Sequence, residues 1–238
     1  MSTYILVHGA WHGGWCWDKV VSILKEKGHK VLAPDLPGHE QKDPIPAGQI
    51  TLQDYVDKLC KVLDEQSEPV YLVGHSMGGA VITQTAEFRP DKIKKLVYVS
   101  AFLLQNGESL TTIASADEDT LLFPNTVISE DKTCATVRED LIKEIFFGDC
   151  SHEDVKRAKS LLTNQPAAPL ITPVETTSEN FGRVPRIYIS CTQDRAISPS
   201  AQKKMYTNSP CEKVIKMNTS HSPFLAAPEE LANHLLSL

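Results

Sequence analysis

The sequence lacks any apolar run close to the roughly 18 residues that a helix needs to cross a bilayer. The apolar stretch at residues 4–8 is also too short for a signal peptide, so we expect none. Basic residues do not exceed acidic ones, with 24 against 30, and the formal net charge is −6. This charge disfavours nucleic acid or an anionic membrane as the main partner. We therefore predict a cytoplasmic protein with no membrane and no nucleic-acid partner.

The six cysteines contain no C-x-x-C pair. Their scattered spacing indicates neither a zinc site nor a redox motif, and a domain of 238 residues does not need disulfides to fold. His8 and His12 are four residues apart, but the glycines around them oppose a helix and no third ligand is evident. We predict reduced cysteines and no metal.

Apolar, β-branched runs alternate with segments of helical spacing along most of the chain. The predicted strands are residues 3–8, 30–33, 70–74, 95–100, 186–190 and 213–217. The predicted helices are residues 18–27, 51–65, 77–88 and 229–238. This alternation predicts an α/β fold with a mostly parallel six-stranded sheet and helices on both faces.

The alternation stops between residues 104 and 183. Here polar segments separate short helical candidates at residues 109–122, 129–147 and 151–162, and a loop or β-ribbon rich in Pro and Thr follows. Because the sheet pattern then resumes, we predict that residues 104–183 form an inserted cap. The core domain would consist of residues 1–103 and 184–238.

The segment Gly74-His75-Ser76-Met77-Gly78 matches G-x-S-x-G, the pattern of a nucleophile elbow between a strand and a helix. A serine hydroxyl held above such a turn strains its own backbone, and bulky neighbours would collide with the adjoining elements. The start of the following helix also directs N–H groups at whatever is bonded to the serine. We predict that Ser76 is a nucleophile.

A serine nucleophile needs a base and a carboxylate, and in an open parallel sheet these gather at the carboxyl ends of the strands. Asp194 follows the fifth predicted strand and His221 follows the sixth. Alone, Asp194 could be a solvated turn residue and His221 a surface histidine. Together with Ser76 they follow the chain order Ser, Asp, His of α/β-hydrolases, which predicts a catalytic triad.

An oxyanion hole requires two N–H donors beside the nucleophile. The backbone N–H of Met77, which directly follows Ser76, is the first candidate. The glycine-rich loop after the first strand supplies the second, and we choose the N–H of Ala10. Trp11 lies beside this position and is predicted to line the pocket, whereas Trp15 and Trp17 more readily pack the loop onto the core.

The chain resembles the α/β-hydrolase superfamily, in particular the branch with plant methylesterases, hydroxynitrile lyases and bacterial esterases. The matching segments are LVHGA at 6–10, HGGW at 12–15, GHKV at 28–31, LVGHSMGG at 72–79, residues 188–194 and His221. The resemblance implies the α/β-hydrolase fold and ester hydrolysis without a cofactor under a mostly apolar cap. Its partners would be a small ester and water, and the family often forms dimers, so we include a homodimer among the expectations.

Two positions favour hydrolysis within this branch. The cyanohydrin lyases that resemble the chain carry threonine at the position of Gly9 and lysine at the position of Ser222. Departures also occur, since Asn-Thr-Ser precedes His221 where relatives have Gly and Asp, and Glu40 stands where a glycine is common. The predicted pocket residues are Gly9, Trp11, His75, Phe102 and Ser222.

We therefore predict a carboxylic ester hydrolase for small, largely apolar esters that uses a Ser-His-Asp acyl-enzyme mechanism. Two alternatives remain at this stage. One is a carbon–carbon lyase of the hydroxynitrile type, and the other is a small-molecule receptor that keeps the triad but turns over slowly. The cap sequence matches the family weakly, so the sequence does not identify the ester.

Overall fold

The computed structural model describes residues 1–42 and 44–238. In chain order its main elements are β1 (Thr3–Val7), α1 (Asp18–Glu26), β2 (Lys30–Leu32), α2 (Leu52–Asp64), β3 (Val70–Ser76), α3 (Gly78–Phe88), β4 (Ile93–Ala101), α4 (Leu110–Ser115), β5 (Thr126–Ile128), β6 (Cys134–Val137), α5 (Ile142–Phe146), α6 (His152–Leu161), β7 (Gln165–Pro166), α7 (Ala168–Ile171), β8 (Arg186–Cys191), α8 (Pro199–Asn208), β9 (Lys213–Met217), α9 (Pro223–Ala226) and α10 (Pro228–Leu236).

Six strands form one parallel sheet in the order β2-β1-β3-β4-β8-β9. Every residue of β3 is buried, so both faces of the sheet are covered. Helix α1 packs against α10, and α2 packs against α3. The predicted parallel sheet with helices on both faces is confirmed. The carboxyl ends of β1, β3, β8 and β9 therefore meet at one edge of the sheet.

Local sequence explains where the helices of this sheet begin. Helix α2 starts after Thr51, whose hydroxyl accepts the N–H of Asp54 while the Asp54 carboxylate accepts the N–H of Thr51. Helix α8 starts after Ser198, with Pro199 at its first position. The sequence prediction contained no helix here, although this serine and proline are a standard start signal.

The predicted helix at residues 129–147 is wrong. Strands β5, β6 and β7 form a small antiparallel sheet in this region, and only Ile142–Phe146 is α-helical. The reason is turn chemistry, because the Asp131 carboxylate accepts hydrogen bonds from the Ser129 hydroxyl and the Thr133 N–H. Lys132 adopts a φ of 59° at the tip of this turn. The apolar spacing that suggested a helix belongs to a β-hairpin followed by a short helix.

The helix predicted at residues 109–122 is also too long, since α4 ends at Ser115. Beyond it, Asp117 accepts hydrogen bonds from the N–H and hydroxyl of Ser198, and the Thr120 hydroxyl donates to the carbonyl of Ala196. These side chains bind the loop after β8 instead of extending the helix. Within residues 1–42 and 44–238, no helix is long and apolar enough to cross a membrane.

Candidate active site

Ser76 lies at the sharp turn where β3 ends and α3 begins. Its φ is 53°, a left-handed conformation that few non-glycine residues adopt. A Cβ at Gly74 would lie 2.6 Å from the carbonyl oxygen of Gly78, and one at Gly78 would lie 2.7 Å from the carbonyl oxygen of Val7. The glycines of the motif are therefore required by close backbone approaches, as the elbow interpretation expects.

The loop after β1 runs directly beside Ser76. A Cβ at Gly9 would lie 2.7 Å from the Ser76 Cβ, so the two residues are in contact. Among the residues that the structure describes, neither the Ala10 N–H nor the Met77 N–H donates a hydrogen bond to another backbone group. Met77 directly follows Ser76 in the sequence, and Ala10 follows Gly9, which contacts Ser76. Each is therefore free to donate to a ligand oxygen bonded to Ser76.

Asp194 and His221 lie side by side at the ends of β8 and β9. The His221 Nδ1 donates to the Asp194 Oδ2 over 2.7 Å, and both side chains are almost fully buried. The other carboxylate oxygen, Oδ1, accepts the N–H groups of Ala196 at 2.7 Å and Ile197 at 3.0 Å. These bonds orient the carboxylate and fix the tautomer of His221, which leaves its Nε2 as an acceptor.

Two further side chains hold Asp194 that the sequence reasoning did not identify. The Ser100 hydroxyl and the Gln202 amide, the latter at 3.2 Å, donate to the same Oδ2 that binds His221. Ser100 lies at a β-bulge, because the pairing of β3 with β4 skips it, and its φ is 42°. The bulge turns the hydroxyl toward Asp194. Its place at the carboxyl end of a strand was the one available sequence signal.

His75, which directly precedes Ser76, contacts His221 through a hydrogen bond and through its ring. Its Nε2 donates to the His221 carbonyl oxygen over 2.7 Å, and the two rings are 4.5 Å apart. The elbow and the histidine loop are therefore hydrogen-bonded to each other. His12 lies nearby, with its ring edge-on to that of His75 at 6.2 Å.

Burial keeps this group of histidines neutral. Burial lowers the pKa of His12 to about 3, and it lowers the pKa of His75 well below the usual value. The neighbouring His221 lowers both pKa values further. His8 is also buried with a pKa of about 4; its Nδ1 donates to the Gly9 carbonyl and its Nε2 accepts the Leu36 N–H. These hydrogen bonds require a neutral ring.

The other residues predicted to line the pocket are Trp11, Phe102 and Ser222. The Trp11 indole donates to the Ala135 carbonyl in β6 over 2.8 Å, and its ring is 5.7 Å from that of Phe146. The Phe102 N–H donates to the Ser76 carbonyl over 3.0 Å. Ser222 is fully buried. Trp11 thus connects the loop after β1 to the segment between β4 and β8.

The described residues contain no group of three or more His, Cys, Asp or Glu side chains arranged to hold a metal ion. His8 and His12, whose spacing resembled a ligand pair, each use Nδ1 to donate to a backbone carbonyl. The other ring nitrogen of His8, Nε2, accepts the Leu36 N–H and is therefore not available as a ligand. The chemistry available here is that of a serine, an imidazole and a carboxylate.

The chain is similar to known proteins over nearly its whole length. It is 33% identical to putative methylesterase 11, chloroplastic, of Arabidopsis thaliana, over 99% of this chain and 63% of that protein. It is 30% identical to the pyrethroid hydrolase of Sphingobium wenxiniae, over 96% of this chain and 84% of that protein. The chain thus spans less than two thirds of the length of some relatives, and it covers 56% of putative methylesterase 15, chloroplastic.

A solved structure shows the same fold. The crystal structure of a pyrethroid hydrolase from Sphingobium faniae JZ-2 superposes with a TM-score of 0.88 at 27% identity, covering 99% of this chain and 96% of that chain. The sequence model described as "Alpha/beta hydrolase family" matches residues 4–234. On this match, and with a sheet and an elbow of the expected form, the chain belongs to the alpha/beta hydrolase family.

Proposed function

We propose that this protein is a serine carboxylesterase that hydrolyses small, largely apolar esters. The observation that carries the proposal is the buried Asp194–His221 pair, hydrogen-bonded through His75 to the strained turn that presents Ser76. Such a backbone conformation costs roughly 1–3 kcal/mol, and a serine nucleophile gives this cost a function. The names of the similar proteins, methylesterases and pyrethroid hydrolase, support the same activity.

In this mechanism Ser76 Oγ attacks the ester carbonyl and its proton moves to His221 Nε2. Asp194 holds the opposite ring nitrogen and stabilises the imidazolium that forms. The N–H groups of Ala10 and Met77 receive the developing oxyanion. His221 then protonates the departing alcohol. A water molecule, deprotonated by His221, attacks the acyl group, and His221 returns this proton to Ser76 Oγ as the acid is released.

The neutral rings of His75 and His12 assist this cycle. His221 gains a positive charge in the transition state, and its nearest ring neighbour is His75. Since burial lowers the pKa of His75 and His12, neither ring carries a charge that would oppose the new one. The negative charge of Asp194 then acts on His221 without competition from a second cation.

Residues 104–183 serve as the cap in this proposal, with residues 1–103 and 184–238 as the core. Phe146, together with Trp11, supplies an apolar wall, since the Phe146 ring lies 5.7 Å from that of His221. Gly9, His75, Phe102 and Ser222 complete the surroundings of the reacting ester. The cytoplasmic location and the homodimer expected from the sequence remain predictions.

The decisive experiment compares the wild-type chain with Ser76→Ala on a panel of esters. The panel contains p-nitrophenyl esters of increasing acyl length, methyl esters of aromatic acids and one pyrethroid. We expect Ser76→Ala to lower kcat by on the order of 10³-fold or more, because the residual rate would come from binding and the oxyanion hole alone. Unchanged turnover in Ser76→Ala would refute the assignment.

Two further measurements address the two alternatives. Cyanide release from mandelonitrile that depends on Ser76 would indicate the lyase. Covalent labelling for a single turnover with retention of the ligand would indicate the receptor. The contact between Gly9 and the Ser76 Cβ leaves no room for a side chain at position 9, where the lyases carry threonine.

A further inference from the structure

The end of α5 and the segment that follows it contact three consecutive residues of the loop that carries His221. Phe146 packs its ring 5.7 Å from the imidazole. The Asp149 carboxylate binds Ser220, and the Cys150 Sγ lies 4.0 Å from the Ser222 carbonyl oxygen. A short piece of the predicted cap therefore holds the histidine loop before, at and after the imidazole.

Asp149 makes the strongest of these contacts. Its Oδ2 accepts the Ser220 N–H over 2.9 Å, and its Oδ1 accepts the Ser220 hydroxyl. Both are charge-assisted bonds, which are stronger than neutral ones. The two segments also lie close together at Gly148, where a Cβ would make an ordinary van der Waals contact of 3.6 Å with the Ser220 Cβ. The backbone of the residue that directly precedes His221 is thus held by a carboxylate from another part of the chain.

This contact matters because the other bonds to His221 leave one motion open. Asp194 holds Nδ1 and His75 holds the carbonyl oxygen of His221. In the chain that enters His221, the Gln193 N–H binds the Thr219 carbonyl, and Asp149 binds the Ser220 N–H that comes next. A rotation there would move Nε2 away from Ser76. Displacing a catalytic group by about 1 Å can cost on the order of 10²-fold in rate.

We propose that Asp149 is a positioning residue, which binds Ser220 and thereby keeps the His221 imidazole oriented for proton transfer with Ser76. This inference rests on the proposed esterase function. It adds that the base is oriented by the segment after β4 as well as by the core loops. Asp149 touches neither the ester nor the reacting atoms.

The test measures kcat per active site, obtained by titration of Ser76, for Asp149→Ala, Asp149→Asn and Ser220→Ala. We expect Asp149→Ala to lower kcat about 10-fold with KM changed less than about 2-fold, since the contact orients a catalytic group and does not bind substrate. Asp149→Asn keeps one acceptor and should retain at least about a third of kcat. In the Asp149→Ala background, Ser220→Ala should have almost no further effect.

The matched control is Asp140→Ala, which removes an exposed carboxylate near the same surface that pairs with Arg138 rather than with the histidine loop. It should leave kcat unchanged. Hydrogen exchange of residues 218–222 gives a readout that does not depend on turnover. Exchange there should rise in Asp149→Ala and stay at the wild-type level in Asp140→Ala.

The outcomes separate this inference from the proposed function. An active wild type with an inactive Ser76→Ala, but full kcat per active site in Asp149→Ala, would overturn the positioning role alone. A lower fraction of titratable enzyme with full kcat per site would also overturn it, because that result indicates only a structural contribution. A wild type without esterase activity would refute the proposed function. Unchanged hydrogen exchange of residues 218–222 in Asp149→Ala would, in addition, show that Asp149 does not hold the histidine loop.

Discussion

Besides His221, four histidines among residues 1–42 and 44–238 are buried and neutral in the folded protein, and this predicts a steep loss of stability in weak acid. Burial lowers the pKa of His8 to about 4 and the pKa values of His12 and His39 to about 3, and it lowers that of His75 well below the ordinary value. In the unfolded chain each of them returns to about 6.5. The unfolded state therefore binds more protons than the folded state in the interval between these values.

The sign and size follow from proton linkage. Above pH 6.5 all four histidines are neutral in both states and do not alter the free energy of unfolding. As pH falls below 6.5, only the unfolded chain takes up protons, so each histidine lowers the unfolding free energy by about 1.4 kcal/mol per pH unit. Four such groups give a slope of about 5 kcal/mol per pH unit between pH 6.5 and 5. The carboxylates add little there, because unfolded Asp and Glu titrate near pH 4.

The loss at pH 5 is about 8 kcal/mol, comparable with the 5–15 kcal/mol that stabilises a typical domain. Urea unfolding at half-unit pH steps, followed by circular dichroism, measures the slope. His39→Gln should reduce the slope by about 1.4 kcal/mol per pH unit, whereas His152→Gln, which removes an exposed imidazole from α6, should not change it. A wild-type slope below that of one histidine would refute the assignment of four neutral rings.

Two further substitutions test the contacts around the nucleophile. Gly9→Ala places a Cβ 2.7 Å from that of Ser76, so we expect a loss of about 1–3 kcal/mol in urea unfolding and a fall of at least about 10-fold in kcat; normal values for both would show that the loop adjusts freely. Ser100→Ala removes a hydroxyl bond to the Asp194 carboxylate, worth about 1.5–3 kcal/mol, and should lower kcat by about 10-fold without changing KM. An unaffected kcat would mean that Gln202 and the backbone hold the carboxylate by themselves.

The core of the fold follows patterns that a single sequence carries. Buried strands such as β3 read as continuous apolar runs because parallel strands are covered on both faces. Asp194 and His221 could be found because catalytic groups must follow strand ends, and the elbow could be found because its glycines avoid backbone clashes that any side chain would create.

The segment between β4 and β8 could not be predicted in the same way. Its short elements are set by contacts with distant loops, such as that of Asp117 with Ser198. In residues 129–147, a turn around Asp131 outweighs apolar spacing that also suits a helix. Asp149 carries no sequence signal at all, because its partner Ser220 lies 71 residues away. Such pairs become visible only when the chain is folded.

The bulge at Ser100 has a consequence for how the sheet holds the acid of this site. The Ser100 hydroxyl, at the end of β4, and the His221 Nδ1, after β9, bind the same oxygen of Asp194, which follows β8. Three neighbouring strands of the sheet thus meet at one carboxylate oxygen. A change in the pairing of β4 with β8 would therefore reach the base through this oxygen.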